Sequence, residues 1–260
     1  MTRFIYGAAT SIGHVRKVNE DSLLVNPPLF AVADGMGGHG AGDLASSLAI
    51  EAVQSAARLR PLSEDGVLAA LDGANRAIVT YEGARGMGTT ITGLALVDTP
   101  GGDRLMVFNI GDSRVYRLSG GDLVQVTIDH SEVQELVEAG VITRDEARIH
   151  PRRNIVTRAL GTMPPCRPDC WLLPAMGGDR YMACSDGLYS EVPDEKITTL
   201  LASGDPQAAA EALVVAAEAA GGHDNITVIV VDVVGFGDLG DLSEADVPTV
   251  PWRDVSGGFS

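Results

Sequence analysis

Short apolar runs rich in β-branched and aromatic residues recur at positions 29–33, 92–97, 105–110, 115–118, 181–184 and 226–234. Their length and composition predict strands, several of them buried on at least one face. Between them the apolar spacing becomes helical at 43–59, 64–81, 131–139, 143–149 and 206–220. Ser131 with Gln134, and Thr143 with Glu146, have capping-box spacing, and Asp205 precedes a proline suited to a first helical turn. The alanine-rich segment 206–220 is apolar nearly all round, so it is expected to lie covered by a sheet or another helix. Two long helices follow one another before the strand series starts at Thr92. A doubly wound parallel sheet would alternate strand and helix, so the order predicts an α+β fold with largely antiparallel strands.

Composition narrows the class. Of 260 residues, 45% are apolar and 21% charged, enough to close a large core in one large or two small domains. Lys and Arg total 19 against 35 for Asp and Glu, a net charge of −16 with no basic stripe, which makes nucleic acid and anionic membrane poor partners. Cys166, Cys170 and Cys184 are too few for a disulfide framework and read as reduced thiols of a cytoplasmic protein. No apolar stretch approaches the ~18 residues of a spanning helix, and the first residues lack a signal-peptide core, so neither export nor anchoring is expected. Residues 236–260 lose periodicity and gain Gly, Pro and acid, and are expected to form a tail without its own fold, with Trp252 either docked or solvated.

Aspartates stand where apolar runs meet turns. Asp34 follows the first run, Asp112 the third and Asp186 the fifth, while Asp224 precedes the last. Strand ends are rigid, so carboxylates there can face one cleft in fixed geometry. Asp-Gly is also an ordinary turn dipeptide, and Asp112 fits a hairpin returning at 114–118 as well as it fits a site. Asp34 and Asp186 have no returning strand after them. Carboxylates that share a cleft repel unless a cation neutralises them, and an all-oxygen set selects Mg²⁺ or Mn²⁺, ions at home in phosphoryl chemistry. Five histidines, His14, His39, His130, His150 and His223, are scattered singly and argue against zinc or copper. In an extended segment Arg16 and Glu20 would share one face with Asp21 on the other. That arrangement sets an arginine for phosphate beside acidic ligands, or else is a solvated charged loop.

Gly35, Gly37 and Gly40 satisfy G-x-G-x-x-G between a strand and a helix, as a dinucleotide-binding loop would. Asp34 would then place a carboxylate beside the pyrophosphate, and the next element is a helix where a strand ending in an acid is required. No G-x-x-x-x-G-K-[ST] sequence is present, which excludes a P-loop.

Seven motifs in register carry a family resemblance. They are Arg16 with Glu20 and Asp21, Asp34-Gly-Met-Gly-Gly-His39, Gly88-Thr-Thr90, Gly111-Asp-Ser-Arg114, Asp129-His-Ser131, Ser185-Asp-Gly-Leu188 and Asp224-Asn225. From about residue 7 to 233, the chain closely resembles the bacterial type 2C metal-dependent protein serine/threonine phosphatases, the PPM family. The resemblance implies a four-layer α-β-β-α sandwich, two antiparallel sheets flanked by helix pairs, within a catalytic domain spanning 1–235. It implies two Mn²⁺ or Mg²⁺ ions bridged by Asp34, with a backbone carbonyl from Gly35 and with Asp186 and Asp224 completing the first ion's shell. Glu20 and Asp21 would act partly through metal-bound water, Asp112 with Asp186 would hold a third, weaker ion, and Arg16 would bind phosphate.

The implied reaction is hydrolysis of phosphoserine and phosphothreonine in proteins by metal-activated water, with no covalent phosphoenzyme. The absence of a Cys-x₅-Arg motif agrees with this. Met36 stands where many eukaryotic members carry a histidine, so His39 is the nearest candidate general acid, with metal-bound water as its competitor. His130 and His223 are expected to be structural. Residues 131–160 match a flap beside the active site, where Arg144, Arg148, Arg152 and Arg153 either attract phosphopeptide or are plain surface residues. Expected partners are phosphorylated proteins, a serine/threonine kinase among them, with the chain acting as a monomer. A phosphoprotein-binding regulator or a hydrolase of small phosphate esters is the alternative.

Overall fold

The computed structural model describes residues 2–37, 41–59, 61–82, 86–162, 165 and 167–234. His39, Cys166, Trp252 and the expected tail 236–260 lie outside the described residues. The chain begins with β1 (Arg3–Ser11), β2 (Asp21–Asn26) and β3 (Leu29–Met36), then α1 (Ala41–Ala56) and α2 (Glu64–Thr80). Next come β4 (Gly88–Thr89), β5 (Ile91–Thr99), β6 (Gly102–Ile110), β7 (Arg114–Ser119) and β8 (Asp122–Gln125), followed by α3 (Glu132–Glu138) and α4 (Arg144–Arg148). The last third holds β9 (Asp169–Pro174), β10 (Arg180–Cys184), α5 (Asp186–Tyr189), α6 (Asp194–Leu201), α7 (Pro206–Ala220) and β11 (Ile226–Val234).

Two sheets form, ordered β1-β11-β10-β7-β8 and β2-β3-β5-β6-β9, with β4 added to β3. Every ladder among the described residues is antiparallel. The expected α+β sandwich is thus the observed one, and the period-two geometry of strands explains its layers. In β3, Leu29, Ala31 and Ala33 turn toward α1 and α2, while Phe30 and Val32 turn toward the other sheet. In β11, Val228 and Val230 meet α7, while Ile229, Val231 and Val233 face back across the sandwich. Both faces of each sheet are therefore covered, which is why these strands read as continuous apolar runs rather than alternating ones. Burying side chains such as Phe30, Phe108 and Tyr181 stabilises the fold by about 1.5–3 kcal/mol each.

Three expectations change. The β6 and β7 strands belong to different sheets, so Gly111, Asp112 and Ser113 form a crossing between layers rather than a hairpin turn. The α7 helix is covered along Ala209, Ala210, Leu213 and Ala217, but Val215 is exposed. The segment around Arg16 is no extended strand, because Gly13, at φ +74°, turns the chain and β2 starts only at Asp21. At the outer edge of its sheet, β1 is closed by a side chain. The Ala8 N–H donates to Gln207 Oε1 at 3.0 Å, and Gln207 Nε2 donates to Ala8 O at 3.1 Å, so one amide imitates a neighbouring strand. Among the described residues no helix is long and apolar enough to cross a membrane.

Candidate metal centre

The face between the sheets changes character toward one end. Along β11, Val233, Val231 and Ile229 give way to Thr227, and along β10, Tyr181 and Ala183 give way to Ser185. Thr227 and Thr10 join hydroxyls at 2.8 Å. Beyond this hydroxyl layer come carboxylates. Asp21 and Asp34 are register partners in the β2–β3 ladder, so their side chains leave the same face. Directly opposed like charges destabilise a sheet, so this pair serves something other than the ladder. Asp186 opens α5 immediately after β10, Asp224 precedes β11, and buried Asp112 occupies the crossing after β6.

Each acid is held from behind. Asp34 lies within β3 rather than at its end, since Gly35 and Met36 go on to pair with β4. Its N–H donates to Thr90 Oγ1 at 3.0 Å, and its carbonyl accepts from the Thr90 N–H and from Thr89 Oγ1, both at 2.9 Å. Behind it, Thr90 and Ser113 pair hydroxyls at 2.8 Å. Gly35 must be glycine because a Cβ there would stand 2.1 Å from the Gly42 carbonyl oxygen and 2.6 Å from that of Glu20. Ser185 Oγ donates to Asp21 Oδ2 at 2.7 Å and accepts from the Thr227 N–H at 3.0 Å.

A clamp fixes the approach to this cluster. Asn225 Oδ1 accepts from the Glu20 N–H at 2.8 Å, and its Nδ2 donates to the carbonyls of Ile12 and Val18, each at 3.0 Å. The loop so held presents Arg16, which is half-exposed and donates from Nη2 to Asp224 Oδ2 at 2.6 Å. Beneath Asp112, Arg114 grips Asp129 with Nε and Nη2 at 2.7–3.1 Å and lies 3.5 Å over the Tyr189 ring. Tyr189 in turn donates its hydroxyl to the Asp112 carbonyl at 2.9 Å.

The electrostatics are unbalanced. Burial, then repulsion from Asp186 and Asp224, pushes Asp21 up to about 7. Asp186 rises to about 6 through burial and Asp224, partly offset by Arg16 and Arg114, with the Asp34 carboxyl as a further interacting neighbour. Asp34 and Asp112 are held well above the usual carboxylate range by burial first and by neighbouring carboxylates second. Asp21 Oδ1 is buried without a hydrogen-bond partner. Buried carboxyls that raise one another's proton affinity need protons or a cation, and an orphaned buried carboxylate oxygen needs a donor or a metal. The donor set therefore fits a hard divalent cation. Among the described residues no three such groups already stand as ligands around one point. The carboxylates are neighbours whose oxygens are turned to Arg16, to Ser185 and to one another.

Other expected residues are placed as follows. His130 is buried, accepts from the Gly111 N–H at 3.1 Å and stands 3.3 Å from Asp169, which makes it structural. His223 contacts Glu191 at 2.7 Å on the surface. Of the four flap arginines, Arg148 faces Asp194 at 3.7 Å and Arg152 pairs with Glu132, while Arg144 and Arg153 are exposed. The same segment carries Glu132, Glu135, Glu138, Asp145 and Glu146, so it is no basic patch. Sequence reasoning quoted Ser185, Thr90, Asn225 and Arg114 within motifs but assigned them no task. Their positions beside acids were the available signal.

A family model described as "Protein phosphatase 2C" matches residues 11–216. The chain belongs to the protein phosphatase 2C family. A serine/threonine protein phosphatase PstP of Mycobacterium tuberculosis is 41% identical over 239 residues, covering 89% of this chain and 45% of that protein. This chain thus spans less than half the length of that 2C relative. A serine/threonine phosphatase stp of Listeria monocytogenes is 35% identical, covering 86% of this chain and 93% of that protein. The crystal structure of a PstP catalytic domain in complex with two manganese ions is 39% identical, with a TM-score of 0.83 over 90% of this chain and the whole of that one.

Proposed function

We propose that this chain hydrolyses phosphoserine and phosphothreonine in proteins, using Mn²⁺ or Mg²⁺ held at the acidic end of the sandwich. The observation that carries the reading is the meeting of Asp21, Asp34, Asp112, Asp186 and Asp224 from separate elements, with the proton affinities of the first four raised and one Asp21 oxygen orphaned. Asp34, the Gly35 carbonyl, Asp186 and Asp224 would hold two ions, Glu20 and Asp21 would engage them through water, and Asp112 with Asp186 would take a third. Bound there, the ions lower the proton affinity of water and neutralise charge developing on phosphorus.

The chain's own groups do the rest. Arg16 exchanges its contact with Asp224 for two phosphoryl oxygens, orienting the ester for in-line attack. The Thr90 hydroxyl, backed by Ser113, fixes the Asp34 backbone and Ser185 holds the Asp21 carboxylate, so little reorganisation is left for the reaction itself. His39, outside the described residues, is the proposed proton donor to the leaving alkoxide. Residues 1–235 act as the catalytic domain with 131–160 as its flap, and 236–260 lies outside the described residues. Phosphorylated proteins, a serine/threonine kinase among them, are the substrates. Buried free thiols at Cys170 and Cys184 support a cytoplasmic setting, and the closed β1 edge supports a monomer.

A phosphothreonine peptide should release phosphate with Mn²⁺, stop with EDTA and resume when Mn²⁺ is restored. Asp34→Asn should lower kcat by about two to three orders of magnitude. Turnover that persists in EDTA, or survives intact in Asp34→Asn, overturns the reading.

A further inference from the structure

Around Arg16 the loop exposes three aliphatic side chains, Ile12 at 39%, Val15 at 62% and Val18 at 48%. None belongs to the three cores of the sandwich. The loop's shape does not depend on them either. Asn225 gathers the Ile12 and Val18 carbonyls on one amide nitrogen, and the His14 N–H donates to Gly222 O at 2.7 Å. Both ends and the middle are thus fixed by the backbone, and the valines stand in water on a rigid frame. Their branched side chains keep few rotamers, so covering them costs little ordering entropy. Scattered apolar residues on a surface need no explanation, but three within seven positions, next to the arginine assigned to phosphate, form a local apolar rim.

We infer that Ile12, Val15 and Val18 are specificity residues that grip aliphatic or aromatic side chains flanking the phosphorylated residue of a protein substrate. The inference rests on the phosphatase reading above and names its preferred substrate class. Val15 adjoins Arg16 and Val18 lies two positions beyond it. In an extended peptide, side chains on one face recur about every 7 Å. With the phosphate on Arg16, an extended peptide would carry the side chains two positions to either side past the residues that flank this arginine. A net charge of −16 disfavours acidic flanks, and the apolar rim adds its own preference for apolar side chains at the positions that it touches.

The test compares two phosphothreonine peptides, identical except for valine or serine two positions before and after the phosphoresidue, with p-nitrophenyl phosphate as a flank-free substrate. The parent enzyme should prefer the valine peptide about fivefold in kcat/KM, through KM. The Val15→Ser/Val18→Ser variant should lose that preference, Val15→Ile/Val18→Ile should keep it, and p-nitrophenyl phosphate turnover should stay unchanged in both. Equal kcat/KM for the two peptides in the parent overturns the inference, as does a preference that survives the double serine change. Loss of p-nitrophenyl phosphate turnover in that variant also overturns it, by showing that the valines hold Arg16 rather than substrate. Should the parent with Mn²⁺ leave p-nitrophenyl phosphate intact, the phosphatase reading itself fails and this inference with it.

Discussion

The two ends of the same strands treat charge in opposite ways. At the base, β10 and β11 set Arg180 against its register partner Asp232, and the guanidinium contacts both carboxylate oxygens at 2.6 and 2.8 Å while donating to the Leu201 carbonyl at 2.7 Å. Beside it Arg117 meets buried Asp179 at 2.8 Å. At the mouth, the same two strands bring Asp186 and Asp224 together, and the neighbouring ladder adds Asp21 opposite Asp34. One end satisfies its acids with arginines. The other pairs only Asp224, with Arg16, and keeps Asp21, Asp34, Asp112 and Asp186 in mutual repulsion. Such frustration inside a rigid scaffold marks where the fold serves a ligand rather than itself.

The contrast can be broken most forcefully with pH and metal. In EDTA, Asp21 near 7 and Asp186 near 6 are raised above their unfolded values, so folding takes up protons. Stability contributed by these groups is complete below about pH 4 and is lost as pH rises through about 6 to 7, a change on the order of a few kcal/mol. The thermal midpoint of the metal-free protein should fall across that window, and saturating Mn²⁺ should remove the fall by displacing the protons. A flat profile in EDTA would show that the mouth is not frustrated. At the base, Arg180→Ala should leave the part-buried Asp232 uncompensated and cost about 2 kcal/mol in urea denaturation, while phosphatase turnover stays at the parent level. Equal damage to turnover would deny that the ends are independent. Smallest is Tyr189→Phe, which removes the donor to the Asp112 carbonyl. It should cost about 1 kcal/mol by the same denaturation, and no loss at all would mean that water replaces the hydroxyl.

Much of the fold was legible because both faces of its central strands are covered. Runs such as those at β3 and β11 stand out as unbroken apolar stretches. The short β4 and β8 strands carry no such run, and neither do β1, β2 and β9. As an edge strand, β1 is largely exposed and rich in small residues, β2 begins inside what looks like a charge cluster, and β9 follows a proline-rich stretch. Most acids of the site were legible for a related reason, since Asp34, Asp112 and Asp186 close apolar runs and Asp224 opens one. What holds them was not. Ser185 reaches Asp21 across 164 positions and Asn225 reaches Glu20 across 205, and no local pattern encodes such meetings. The extended reading of Arg16 failed on a single glycine, because a positive φ at Gly13 redirects the chain before side-chain alternation can apply.

The position of β11 bears on how this domain is made. The last strand of the described fold is an inner one, pairing with β1 on one side and β10 on the other, with Arg3 meeting Val234. During synthesis the first strand must therefore wait beside the ribosome, with its sheet incomplete, until the last emerges. Asp224 arrives only just before that closure. A nascent chain therefore lacks a complete set of acids until β11 is at hand, and the candidate metal centre is assembled by the same step that closes the sheet.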